Sequence, residues 1–136
     1  MDYIEIIYKL FLGSILGALI GAERSFFKKQ AGLRTFALVG LGATLFSLIA
    51  TNFALDSASR ILANIVLGIG FLGAGIIFYH EEKIVGATTA AALWTTAAIG
   101  AAVGQGFYLE AFTTTILVIL ILSIFPLIEE RIRTHE

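Results

Sequence analysis

Residues 68–75 read Gly-Ile-Gly-Phe-Leu-Gly-Ala-Gly, and Gly68-x-Gly70-x-x-Gly73 within them spells the letter pattern of a dinucleotide-binding turn. That pattern works only where a strand feeds a helix, because the glycines let a pyrophosphate approach the helix N-terminus and an acid about 20 residues on holds the ribose. Neither condition is met. The glycines interrupt an apolar run, Ile61 to Tyr79, long enough for a membrane helix, and the residue about 20 positions beyond them is Trp94. The stretch therefore reads as a membrane helix with small residues on its surface, and that reading sets the class of the whole chain.

Composition agrees. Hydrophobic residues make up 58% of the 136 positions and charged residues 14%, with one proline and a mean hydropathy of +0.93. The apolar residues come in runs of about 20, the length that crosses a hydrocarbon core. Five such segments are expected: Tyr3–Ala22, Thr35–Leu55, Ile61–Tyr79, Val85–Gly104 and Phe107–Ile128. The fold expected is all-α, a polytopic transmembrane helix bundle forming a single domain over residues 1–136. The first segment is too long and too poor in N-terminal basic residues for a cleaved signal, so it is read as a retained span. The fourth, rich in Ala and Thr, is the weakest of the five and fits a re-entrant segment as well as a full crossing.

Charge placement orients the bundle. Arg24, Lys28, Lys29, Arg34, Lys83, Arg131 and Arg133 fall on one side, Arg60 falls on the other, and Lys9 lies within a span. By the positive-inside rule the N-terminus lies outside and the C-terminus in the cytoplasm. A net charge of -1 without a basic, polar module argues against nucleic acid as a partner, and the absence of cysteine removes disulfides and thiolate metal sites.

Membrane helices associate where small residues let backbones approach. Gly13, Gly17 and Gly21 form such a stripe on the first span. Gly68, Gly70, Gly73, Ala74 and Gly75 do so on the third, with Gly70 and Ala74 a small-xxx-small pair, and Gly86, Ala90, Ala97, Gly100 and Gly104 thin the fourth. These contacts are expected within one bundle or between copies. The polar residues carry the functional candidates. Lys9 is expected to pair with Glu5 one turn earlier and snorkel to the outer interface, or else to be a functional charge facing the bundle. Arg60, Asn64 and Gly68 follow at i+4 spacing as a polar stripe at the outer end of the third span. At the inner side Glu23, Arg24, Arg34, Thr35, Thr88 and Thr89 gather near span ends, where Glu23 with Arg34 reads either as an ion pair or as part of a ligand site. The start of the second span, with Lys28 and Lys29 close by, has the character of an anion or lipid-headgroup site. Trp94 is expected to pack in the core, Thr113, Thr114 and Thr115 to bond the carbonyl a turn back, and His80 and His135 to be solvated.

The segments GAERSFFKKQAGLRTFALVGLGATLF, RILANIVLGIGFLGAGIIF and VGATTAAALWTTAAIGAAVGQGFY together resemble the MgtC/SapB family of bacterial inner-membrane proteins, over about residues 10–110. The resemblance implies a five-span domain, followed in many members by a soluble domain that this chain, ending at Glu136, is expected to lack. It implies importance for Glu23, Arg24, Arg34, Thr35, Asn64, Thr88, Thr89 and Trp94. Members are associated with magnesium limitation, acid resistance, survival inside host cells and restraint of the rotary ATP synthase. Where many members carry a histidine after AGLRT this chain has Phe36, which weakens a proton-linked mechanism.

Magnesium needs octahedral oxygen ligands, usually with a carboxylate, and no Asp or Glu sits in the middle of an expected span. Nor does the sequence contain a phosphate-binding loop or a cluster of nucleophile, base and acid. No enzymatic activity, cofactor or resident metal is expected. The function expected is a regulatory or accessory membrane protein, in the lipid bilayer, working as a homo-oligomer, a dimer, or with another membrane protein complex. The alternative is a small homo-oligomeric transporter or channel for a polar or anionic solute.

Overall fold

A computed structural model describes residues 2–133, with the side chain of Arg133 outside the description, as is His135. Five helices follow one another: α1 (Tyr3–Phe26), α2 (Leu33–Ala50), α3 (Leu55–Ile76), α4 (Ala87–Gln105) and α5 (Tyr108–Arg133). All five are long and apolar enough to cross a membrane. Between α3 and α4 lies a small antiparallel hairpin, β1 (Phe78–His80) with β2 (Lys83–Val85), in the register Phe78↔Val85, Tyr79↔Ile84, His80↔Lys83. Its two turn residues, Glu81 and Glu82, have φ of 47° and 62°, the left-handed pair that a tight two-residue hairpin requires.

The hairpin and the third helix correct the expected boundaries. Hydropathy centred the third span on Ile61–Tyr79, but the helix starts six residues earlier. Its polar first turn carries Asp56, and an acid there suits the positive end of a helix. At the other end Phe78 and Tyr79 leave the helix for the hairpin. Asn64 is thereby the tenth of 22 helical residues, one turn beyond Arg60 of the polar start.

The core is made by α1, α2 and α4, and its glycines explain the closeness. The α1–α2 pair is antiparallel: Gly13 lies against Gly40 and Thr44, Gly17 against Phe36, and Gly21 against Leu33. A Cβ on Gly21 would come within 2.7 Å of Leu33 Cα, far inside van der Waals contact. Helix α2 runs parallel to α4, with a Cβ on Gly100 reaching Ala43 Cβ at 2.9 Å and one on Gly104 reaching Ser47 Cβ at 2.6 Å. Phe36, Ile20, Leu93, Ile99 and Val103 fill the spaces the small residues leave. Far from being a re-entrant segment, α4 is the central helix: 56% of its apolar window is buried, against 11% for α3. Its Ala and Thr content lowers its hydropathy because its neighbours are helices rather than lipid. Gly86, at φ +91°, starts α4 with its α-carbon against the Ile76 carbonyl, which leaves no room for a side chain.

Helices α3 and α5 are peripheral. Helix α3 touches α4 in antiparallel register, Gly73 meeting Ala90. Helix α5 is held by Ala111, Thr115, Val118 and Leu122, which are buried, and by Tyr108 stacked edge-on against Tyr8 at 6.0 Å.

Candidate functional site

Several polar side chains inside the bundle join helices, and others bond within their own helix. The Thr44 hydroxyl shares its proton between Gly40 O at 2.8 Å, in its own helix, and Gly100 O at 2.9 Å, in α4. Ser47 donates to Ala101 O at 2.7 Å, and Gln105 Nε2 returns to Ser47 O at 2.9 Å. Thr96 and Thr115 satisfy their hydroxyls one turn back, at 2.8 Å each. Among the described residues every buried side-chain polar atom has a partner. In lipid such bonds add to van der Waals packing, each contributing about 0.6–2 kcal/mol.

Lys9 pairs with Glu5 at 2.9 Å as expected, yet it does not snorkel. The side chain is buried and its Nζ donates to Gly104 O at 3.3 Å. A cation at the C-terminal carbonyls of α4 meets the negative end of that helix dipole. Opposite, at the α1–α2 loop, Ser25 Oγ accepts from the Leu33 amide at 2.8 Å and so caps α2 from eight residues away.

The expected inner cluster does not close into one site. Glu23 pairs with its neighbour Arg24, whose Nη2 donates to Glu23 Oε1 at 2.7 Å while Nε also meets the second carboxylate oxygen. Adjacent helical residues point in different directions, so the pair forms because the long Arg24 side chain folds back, and Arg24 is buried in doing so. Arg34 is exposed and makes no ion pair with Glu23 among the described residues. Thr89 is buried and donates to Gln30 Oε1 at 2.9 Å, pinning the α1–α2 loop to the start of α4, whereas Thr88 is exposed. Trp94 corrects the core expectation. It is 51% exposed and lines a shallow groove against Leu62, Val66 and Ile69 of α3; the small residues on α4 pack inward and leave the indole to the outer face.

Thr35 and Asn64 instead line one open apolar groove of about 680 Å³ between α2 and α3, floored by Ala43, Ile69 and Ala97. Among the described residues no three His, Asp or Glu side chains converge as a metal site would require. The glycines divide sharply. Gly13, Gly17 and Gly21 are in close helix contact and Gly73 in ordinary contact, while Gly68, Gly70 and Gly75 have nothing within 4 Å. Ala74, one turn from Gly70, is also exposed. Gln30, Ser25, Thr44, Ser47 and Gln105 escaped the sequence reading. The Gly40-x-x-x-Thr44 and Gly100-x-x-x-Gly104 spacings were the signal for the α2–α4 seam.

Five membrane-length helices around a small-residue core, with buried polar groups bonded between and within helices, define a multi-pass membrane helix bundle. Residues 10–131 match the MgtC family, and the chain belongs to it. It is 47% identical over 113 residues to Protein MgtC of Salmonella typhimurium, covering 83% of this chain and 49% of that protein. It is 42% identical over 130 residues to the putative magnesium transporter YhiD of Escherichia coli, covering 89% of this chain and 60% of that one. An uncharacterized protein of Synechocystis is 40% identical over 120 residues, 88% of this chain and 51% of its own length. The chain thus spans about half to three-fifths of these curated relatives. No solved structure matches it.

Proposed function

We propose that the chain is a regulatory or accessory protein of the bacterial inner membrane, acting in adaptation to magnesium limitation or a related stress by packing α3 against a helix of another membrane protein. In this reading the N-terminus faces outward and the C-terminus the cytoplasm, which the basic residues at the α1–α2 loop, the hairpin and the end of α5 support. The magnesium link is supported by the relative YhiD, named a putative magnesium transporter. The observation that carries the reading is the bare Gly70. Gly13, Gly17, Gly21, Gly40, Gly100 and Gly104 on α1, α2 and α4 are filled by neighbours, but Ala63, Gly70 and Ala74 present a flat, exposed strip of α3, and no described residue approaches Gly70 within 4 Å. Such a strip lets a foreign helix approach closely, the condition for association in lipid. Gentle extraction at native expression recovers a defined membrane partner under this reading, and Gly70→Leu loses it; an unchanged set of co-purifying proteins with Gly70→Leu contradicts it.

One observation favours a second reading. The α2–α3 groove, with Thr35 and Asn64 on its walls and Arg34 beside its Thr35 end, offers a polar solute a path once a second copy closes it. Flux into liposomes that falls with Arg34→Ala supports a small transporter; tight liposomes remove it.

A further inference from the structure

The groove between α2 and α3 opens sideways into the bilayer, since Leu38 and Phe46 on its α2 wall are largely exposed while Ala97 of α4 closes it from behind. Of its lining residues only Thr35 and Asn64 carry polar side chains. Along α2 the lining runs from Thr35 to Phe46, a rise of about 16 Å, and along the antiparallel α3 from Leu72 to Ile61, the same rise. One leaflet of hydrocarbon is about 15 Å deep. The Thr35 end is cationic. Arg34 stands one turn before Leu38 on the same face of α2, and helical side chains lean toward the helix N-terminus, so its guanidinium lies past the end of the groove, at the membrane edge. Arg34 is exposed and makes no hydrogen bond or ion pair among the described residues, and neither do the exposed side chains of Lys28 and Lys29 in the loop leading into α2. Residues 25–34 contain no acidic side chain, and Glu23, just before them, is held by Arg24.

We infer that this groove seats an anionic phospholipid, with one acyl chain lying between α2 and α3 from Thr35 toward Phe46 and the phosphate on Arg34. The two halves of the site call for one molecule that joins an anion to an apolar chain about a leaflet long. A planar guanidinium takes two phosphate oxygens at once, and Lys28 and Lys29 add attraction to a negative headgroup, as basic pockets between membrane helices do. A protein helix fits less well. Over 16 Å of length, a cylinder about 10 Å across displaces roughly 1,250 Å³, about twice the 680 Å³ of the groove, and it leaves Arg34 without a counter-charge. The assignment to the cytoplasmic leaflet rests on the orientation proposed above; the seat itself does not. A seated chain fills the path that the transporter reading leaves to a solute, so lipid and solute are rival occupants. The Gly70 strip lies outside the groove lining, and the contact proposed there stands or falls separately.

The test reads lipid preference at the groove by fluorescence quenching. Trp94→Phe removes the single tryptophan and Leu38→Trp places a reporter on the α2 wall. The full chain is reconstituted in vesicles of phosphatidylglycerol and phosphatidylcholine, one or the other brominated in its acyl chains, and the quenching ratio gives their relative affinity. Phosphatidylglycerol is preferred at the groove, and no preference appears at a Leu120→Trp reporter on the exposed side of α5. Arg34→Gln lowers the preference about 5-fold, the change equivalent to about 1 kcal/mol for one cation near anionic lipid, and Arg34→Lys keeps most of it. Gly42→Phe adds a ring to the groove wall where nothing lies within 4 Å; it abolishes the preference with the helical circular dichroism unchanged. Equal quenching by the two lipids overturns the inference, as does a preference indifferent to Arg34→Gln or to Gly42→Phe, or one equally strong at position 120. Quenching of the groove reporter by aqueous iodide and not by brominated chains overturns it in favour of the solute. A lipid preference that persists in Gly70→Leu while the protein partner is lost separates this seat from the proposed contact.

Discussion

Adding one methyl group to a glycine of α1 and to a glycine of α3 gives opposite results. In Gly21→Ala the new Cβ falls 2.7 Å from Leu33 Cα and 2.8 Å from Phe36 Cβ. Ordinary carbon contacts lie at about 3.5–4.0 Å, so α1 and α2 must part by roughly 1 Å. The first obstacle is backbone, which cannot swing aside as a side-chain tip does. Overpacking costs about 1–3 kcal/mol, and the helix preference of Ala over Gly returns up to about 1 kcal/mol. The net expectation is a loss of about 1–2 kcal/mol. Gly70→Ala meets nothing within 4 Å, so only the propensity term acts and the change runs from neutral to about 1 kcal/mol stabilising. Reversible unfolding of the purified chain in mixed micelles, followed by helical circular dichroism, measures both. Equal destabilisation by the two substitutions, or a stable Gly21→Ala, refutes the division of the glycines into packed and bare.

Three further outcomes follow from the interior. Glu5→Leu destabilises the bundle more than Lys9→Met does in the same unfolding assay, because it leaves a buried ammonium with no counter-charge and only the Gly104 carbonyl, while Met keeps the packing and removes the charge. Thr44→Val costs about 1–2 kcal/mol by leaving Gly100 O without its donor, and Thr44→Ser recovers most of that loss. Trp94, the single tryptophan, is quenched by lipids brominated deep in their acyl chains; fluorescence indifferent to such lipids contradicts its placement on the outer face.

The spans were legible because runs of about 20 apolar residues have one physical outcome in lipid, although α1 and α5 run four and five residues past the expected ends and α2 stops at Ala50, leaving Leu55 to open α3. What escaped was set by neighbours. Helix α3 begins in a polar turn, Leu55 to Arg60, that hydropathy cannot count as membrane. The hairpin lacks the Asn-Gly or Asp-Gly that announces such a turn, having Glu81-Glu82 in its place. Spacing marked the glycines of α1 correctly as contact residues, yet the Gly70–Ala74 spacing on α3 fell on an exposed surface, with nothing within 4 Å of Gly70 among the described residues. Period shows that a helix has a flat side and leaves open whether anything lies on it. The inner cluster failed for a related reason: Glu23 and Arg34 flank one loop, but Glu23 reaches Arg24 first.

The proposed function depends on a foreign helix lying along Ala63, Gly70 and Ala74. Site-specific photo-crosslinking in native membranes tests it most directly, with the photoreactive residue at Ala63 on the rim of that strip and, as a control, at Leu120 on the exposed side of α5. The account predicts one defined protein adduct from position 63, abolished when Gly70→Leu is added, and none from position 120. Adducts from position 63 to lipid alone, or an adduct that survives Gly70→Leu, contradict it.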